Sequence, residues 1–203
     1  NRSAWTSVAE NAPSSVLMTD SSSGVYVMSK IIHPLGRPNK TRLQEIFRTA
    51  LRVVYKRTKK KRIQDPEFVS EYVQDEVTMS CFGDTSTASY THPVLKEVLQ
   101  MSGKKLRTIH NLSKVISNRT HCYIIYCELN GDFVYKSLTA ESSQKNHIIL
   151  IQKGSVYCMY LKKSDNRNRR ILAKSIIRID AEGRLDDTSY IKTIRAVFKV
   201  VDI

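Results

Sequence analysis

The chain has 203 residues, 41% of them hydrophobic and 26% charged, and a formal charge of +14. That length admits one substantial core or two small ones. No apolar run reaches the roughly 18–20 residues of a membrane-spanning helix, which excludes such a span. The four cysteines, Cys81, Cys122, Cys127 and Cys158, lack the density and spacing of a secreted disulfide scaffold, and the lysine-rich composition favours a reducing, intracellular setting.

Residues 1–14 are polar and unpatterned, a loose lead-in. The chain starts at Asn1 without Met or an apolar signal core, so a piece excised from a longer protein is expected. Val16–Thr19 and Val25–Ile32 are predicted as two strands around the Ser-rich turn Asp20–Gly24. The loop Gly36-Arg37-Pro38-Asn39 then opens a basic helix, with Thr41 and Gln44 fitting a capping box and Asn39 a competing cap.

From Lys40 to Arg62 there are ten Lys or Arg and one acid, Glu45. At 3.6 residues per turn, Leu43, Ile46, Phe47, Ala50, Leu51, Val53 and Val54 share one arc, opposite Arg42, Arg48, Arg52 and Lys56. One face suits a core and the other presents a cationic ridge. The run Lys56-Arg57-Thr58-Lys59-Lys60-Lys61-Arg62 also fits a nuclear-import address. Its charges complement the negative end of the helix dipole, which gives part of the cluster a structural role.

Asp65-Pro66-Glu67 starts an acidic helix through Val77, with five acids and no base between Ile63 and Ser80. After the polar loop Thr78–Thr91, two short helices are predicted on either side of Ser102-Gly103. One is opened by His92-Pro93; the other carries Leu106, Ile109, Leu112, Val115 and Ile116. Their punctuation is that of a helix-turn-helix, whose second helix would present Lys104, Lys105, Arg107, His110, Asn111 and Lys114 to a groove. A plain helical hairpin accounts for the same pattern.

Beyond Thr120 the pattern is a β-meander. Cys122–Glu128 and Phe133–Leu138 flank Asn130-Gly131, while His147–Gln152 and Ser155–Lys162 flank Lys153-Gly154. Arg170–Ile179 reads as another strand, and Tyr190–Val201 as a strand or short helix. The fold class is therefore α+β, an antiparallel meander sheet with about four helices packed against it. A single domain is expected, with a possible sub-boundary near residues 118–120 between a helical part (36–118) and a β-rich part (120–203).

The charge excess attracts polyanions: nucleic acid foremost, otherwise an acidic protein segment or an anionic membrane surface. The expected nucleic-acid contacts are Arg48, Arg52, Lys56, Arg57, Lys59, Lys60, Lys61 and Arg62 from the basic helix. Lys104, Lys105, Arg107 and Lys114 would add to them from the second helix of the pair, and Arg167, Arg169 and Arg170 from a loop between strands. The ten tyrosines suit a half-buried sheet face better than a base-stacking platform.

Metal binding and catalysis find little support. Cys122 and Cys127 would fall on opposite faces of a strand, and no paired Cys-x2–4-Cys spacing accompanies them. No phosphate-binding glycine loop, H-E-x-x-H or G-x-S-x-G is present. The carboxylates Asp84, Glu128 and Asp132, with Lys136, have only generic spacing for a metal-dependent nuclease. The five histidines show no catalytic pairing. No cofactor, metal or enzymatic role is expected, and a nuclear site of action is. Four N-x-S/T triplets begin at Asn1, Asn39, Asn111 and Asn118, a mild excess over composition.

Overall fold

The computed structural model describes residues 18–33, 40–60, 89–110, 112, 115, 119–129, 146–162, 164–182 and 190–203. The architecture is α+β, with four helices, a five-stranded antiparallel sheet and a separate two-stranded pair among the described residues. The predicted acidic helix, the strand Phe133–Leu138, and Lys61, Arg62 and Lys114 lie outside the described residues. The chain divides into two compact units: one runs through the described residues as far as Lys105 and takes in Asp202–Ile203, and the other is Leu106–Val201.

In the first unit, β1 (Met18–Asp20) pairs antiparallel with β2 (Ser89–Thr91), Met18 opposite Thr91 and Asp20 opposite Ser89. The next segment corrects a sequence expectation: Ser21–Ile32 is a helix, α1, and not a turn followed by a strand. Its β-branched and aromatic content suggested a strand. Its buried positions, however, are Ser23, Gly24, Val27, Met28 and Ile31, which is helical spacing. Burial of that stripe outweighs the weak β preference of Val25, Tyr26 and Val27.

The basic helix forms as expected, as α2 (Lys40–Lys60). Leu43, Phe47, Ala50 and Val54 are buried, and Ile46 and Val53 are half-buried. They pack on α3 (His92–Met101), which buries Val94, Leu95, Val98 and Leu99. Pro93 sits in the first turn of α3, where its missing N–H costs nothing.

Where the second helix of the pair was expected to begin, the described residues form a strand instead. Turn bonds from Ser102 N–H to Leu99 C=O (2.9 Å) and Gly103 N–H to Gln100 C=O (3.0 Å) close α3. Gly103 adopts φ 75°, and the chain leaves as β3 (Lys104–Thr108). Across the sheet, Ile109 N–H donates to Val197 C=O and Ile203 N–H to Gly103 C=O. Strand pairing thus satisfies backbone groups that the predicted helix would have satisfied internally. The helix-turn-helix reading falls with it. Leu112 and Val115, which had suggested helical spacing, are buried in a single turn, with Val115 N–H donating to Leu112 C=O at 2.9 Å.

In the second unit the sheet runs β3-β7-β4-β5-β6, so only β4-β5-β6 follow meander order. Strand β4 (Cys122–Leu129) is central, between β5 (Asn146–Gln152) and β7 (Ile191–Asp202). Both of its faces are buried, which explains the unbroken apolar run Tyr123–Cys127. One face joins Tyr123, Ile125, Cys127 and Leu129 to Ile149, Ile151, Val156, Ile194 and Val197. On the other, Tyr126 meets Phe198 edge-on at 5.8 Å. Tyr123 and Tyr126 are therefore core residues rather than stacking platforms, and burial pushes the Tyr126 phenol pKa up.

The hairpin from β5 to β6 (Ser155–Tyr157) turns through Lys153 and Gly154, both at positive φ (52° and 78°), the geometry of a primed two-residue turn. The predicted strand Ser155–Lys162 is thus shortened to three residues. The predicted strand Arg170–Ile179 is a helix, α4 (Asn166–Glu182). Asp165 caps it, accepting from the Asn168 backbone N–H (3.2 Å) and from Asn168 Nδ2 (2.8 Å). These bonds hold the Asp165 carboxyl below its ordinary pKa. Leu172, Ser175 and Ile176 are buried at helical spacing, and Leu172 and Ile176 complete the sheet core.

Candidate nucleic-acid interface

The apolar stripe of α2 fixes where its charges point. With Leu43, Phe47, Ala50 and Val54 buried, Arg42, Arg48, Arg52 and Lys56 are exposed on the other side. Among the described residues, Arg48, Arg52 and Lys56 make no hydrogen bond or ion pair. They recur once per turn over about 12 Å of helix axis. The result is a ridge of cations with Glu45, also exposed, as the one acid on the same helix.

Arg57 behaves differently. Its Nη1 lies 2.9 Å from Glu97 Oε2 on α3, with the Arg57 side chain 58% exposed and that of Glu97 10%. This pair ties the C-terminal half of α2 to α3, so Arg57 has a structural role that the sequence did not reveal. Lys59 and Lys60 lie at the C-terminal end of α2.

The residues expected on a recognition helix stand instead on β3, the first strand in the sheet order. Lys105 and Arg107 are exposed at alternate positions and so share a face of that strand. Lys104, half-buried, pairs with Asp202. Basic residues on such a strand also guard it against pairing with another chain.

The third expected cluster is not a loop but the start of α4. Arg167 and Arg170 are exposed and Arg169 is half-buried. Arg169 Nε donates to Val156 C=O (2.9 Å), and its guanidinium lies 5.1 Å from the centre of the Tyr157 ring. Arg170 Nε donates to Asn166 C=O (3.2 Å). Beside them is a cleft of about 460 Å³ lined by Gly154, Ser155, Val156, Asn166, Arg169, Arg170 and Ala173. Sequence reasoning placed Asn166 beside these arginines but missed Ser155 and Val156 as their neighbours. The missed signal was Asp165 three residues before Asn168, a helix start ahead of the run to Ile176.

Two further arrangements are chemically distinctive. On β7, Arg195 and Lys192 are the extra residues at two register shifts against β4. Both reach Glu128, at 3.3 Å and 3.7 Å. Bulges re-aim side chains in this way, so Glu128 is the hub of a structural ion pair. One histidine has a buried partner that its sequence position did not suggest. His147 Nε2 lies 3.2 Å from Cys158 Sγ, and its ring stacks on Tyr160 at 4.8 Å. Both partners are about 1% exposed, so the pair is held inside the sheet core, away from any substrate.

Cys122, Cys127 and Cys158 are not in disulfides. Among the described residues no three His, Cys, Asp or Glu gather as metal ligands, and no described helix is long and apolar enough to cross a membrane. In comparison with known proteins, no family model, curated protein or solved structure matches this chain.

Proposed function

We propose that this chain is a nucleic-acid-binding domain that acts by binding rather than catalysis, with the exposed face of α2 as its principal contact surface. The observation behind the proposal is the ridge of Arg48, Arg52 and Lys56, solvent-facing and without a described carboxylate partner, on a helix whose other side is fixed in a core. Side chains spaced one turn apart on a rigid rod meet successive phosphates without reorganising, and each contact releases condensed counterions. Lys105 and Arg107 on β3 and Arg167 on α4 are supplementary contacts. A nuclear site of action belongs to the same proposal and rests on the Lys56–Arg62 run. Recognition in this proposal is of the phosphate backbone, since Lys104–Thr108, where the helix for reading base edges was expected to start, is a strand.

The test is fluorescence anisotropy with duplex DNA, single-stranded DNA and RNA of equal length, beside an acidic peptide of matched charge. Replacing Arg48, Arg52 and Lys56 together by Ala should weaken nucleic-acid binding on the order of tenfold or more at low salt. The thermal transition should not move. Unchanged affinity, or tighter binding to the peptide than to any nucleic acid, would overturn the proposal.

A further inference from the structure

We infer that the cleft between the β5–β6 turn and α4 is a separate binding site for a phosphate monoester, the terminal phosphate of a nucleotide. This goes beyond the α2 surface and does not depend on it.

Among the described residues, the cleft's lining includes Arg169, Arg170, Ser155 and Asn166, and no Asp or Glu. A phosphate monoester brings close to two negative charges and three strong acceptor oxygens. That acceptor set matches hydrogen-bond donors from four side chains. The remaining wall is Gly154, Val156 and Ala173, small and apolar, which leaves room for a sugar or base. About 460 Å³ lies within the range of small-molecule sites, roughly 300–1,000 Å³.

The arginines are placed for an anion rather than for the helix. Arg167, Arg169 and Arg170 occupy the first turns of α4, where no acid follows the cap. Cations at that end oppose the helix dipole and cost helix stability. Arg169 is also pre-aimed: the bond from Nε to Val156 C=O and the Tyr157 ring beneath it fix the guanidinium plane. A donor held in place before binding loses little entropy on binding. Arg170 is exposed and supplies the second, adjustable cation.

The phosphate has two possible sources, a free nucleotide or the 5′ end of a strand. The experiment is calorimetric titration of the full chain with adenosine 5′-monophosphate and with adenosine. A parallel anisotropy measurement compares one oligonucleotide with a 5′-phosphate and with a 5′-hydroxyl end. Saturable binding of the monophosphate but not the nucleoside supports the site with a free nucleotide as source. A gain in affinity on 5′-phosphorylation alone supports it with a strand end as source. In either case Arg170→Ala should remove tenfold or more of the gain with the thermal midpoint unchanged, because that side chain's described bond is local to its own helix. The triple substitution of Arg48, Arg52 and Lys56 should leave monophosphate binding as it is, which separates this site from the α2 surface. Equal binding of phosphorylated and unphosphorylated ligands, or an Arg170→Ala protein that binds like wild type, would overturn the inference.

Discussion

Lys153 shows how a single residue can hold a poor conformation because its neighbours require it. Its φ of 52° costs a non-glycine residue about 1 kcal/mol, yet the two-residue turn between β5 and β6 needs positive φ there. Lys153→Asn keeps the turn and should raise stability by a few tenths to about 1 kcal/mol, measured by urea denaturation. Gly154→Ala, at φ 78°, should lower it by a similar amount. His92 gives a pH signature. Burial, aided by the charge of Lys96, lowers its pKa from 6.5 to about 4. Between those values the unfolded chain binds the proton and the folded one does not. The associated stability is therefore complete above pH 6.5 and lost as pH falls toward 4, by up to about 3 kcal/mol. The thermal midpoint should drop across that window, and His92→Gln should flatten the drop. A midpoint with the same pH profile in both proteins would contradict the assignment.

Among the elements, α2 divides into a buried face that holds the fold and an exposed face that we propose meets a ligand. Phe47, fully buried, should cost about 3–5 kcal/mol when truncated to Ala, whereas removing Arg48, Arg52 and Lys56 should leave the denaturation midpoint within experimental error. An equal loss of stability from both would mean the exposed face is structural. The amphipathic period of α2 was legible because seven apolar residues, Leu43 to Val54, repeat over about three turns. The strands β4 and β5 and the Lys153-Gly154 turn were legible from apolar runs and turn chemistry. Val25–Ile32 and Arg170–Ile179 were not, because short β-rich segments satisfy helical and extended patterns alike until their burial is known. The Lys104–Thr108 strand was hidden for another reason. Its backbone partners lie about ninety residues away near Val197 and Ile203, and local spacing carries no trace of them. The arginines of α4 were expected in a loop because the local cap, Asp165 ahead of Asn168, was not read as a helix start.

For the molecule as a whole, a charge of +14 accelerates encounter with any polyanion, so binding alone would not distinguish a built surface from a general excess of cations. Salt dependence makes that distinction, because its slope counts the phosphates neutralised in the complex and the contribution of each cation can be removed in turn. The most direct measurement is therefore the affinity for a short duplex across a range of ionic strength, for the wild-type chain and the triple variant of Arg48, Arg52 and Lys56. With roughly six phosphates engaged, the log–log slope should lie near −5 in the wild type and be shallower by about 2.7 in the variant. Superimposable lines for the two proteins, or a slope near zero in either, would contradict α2 as the nucleic-acid surface.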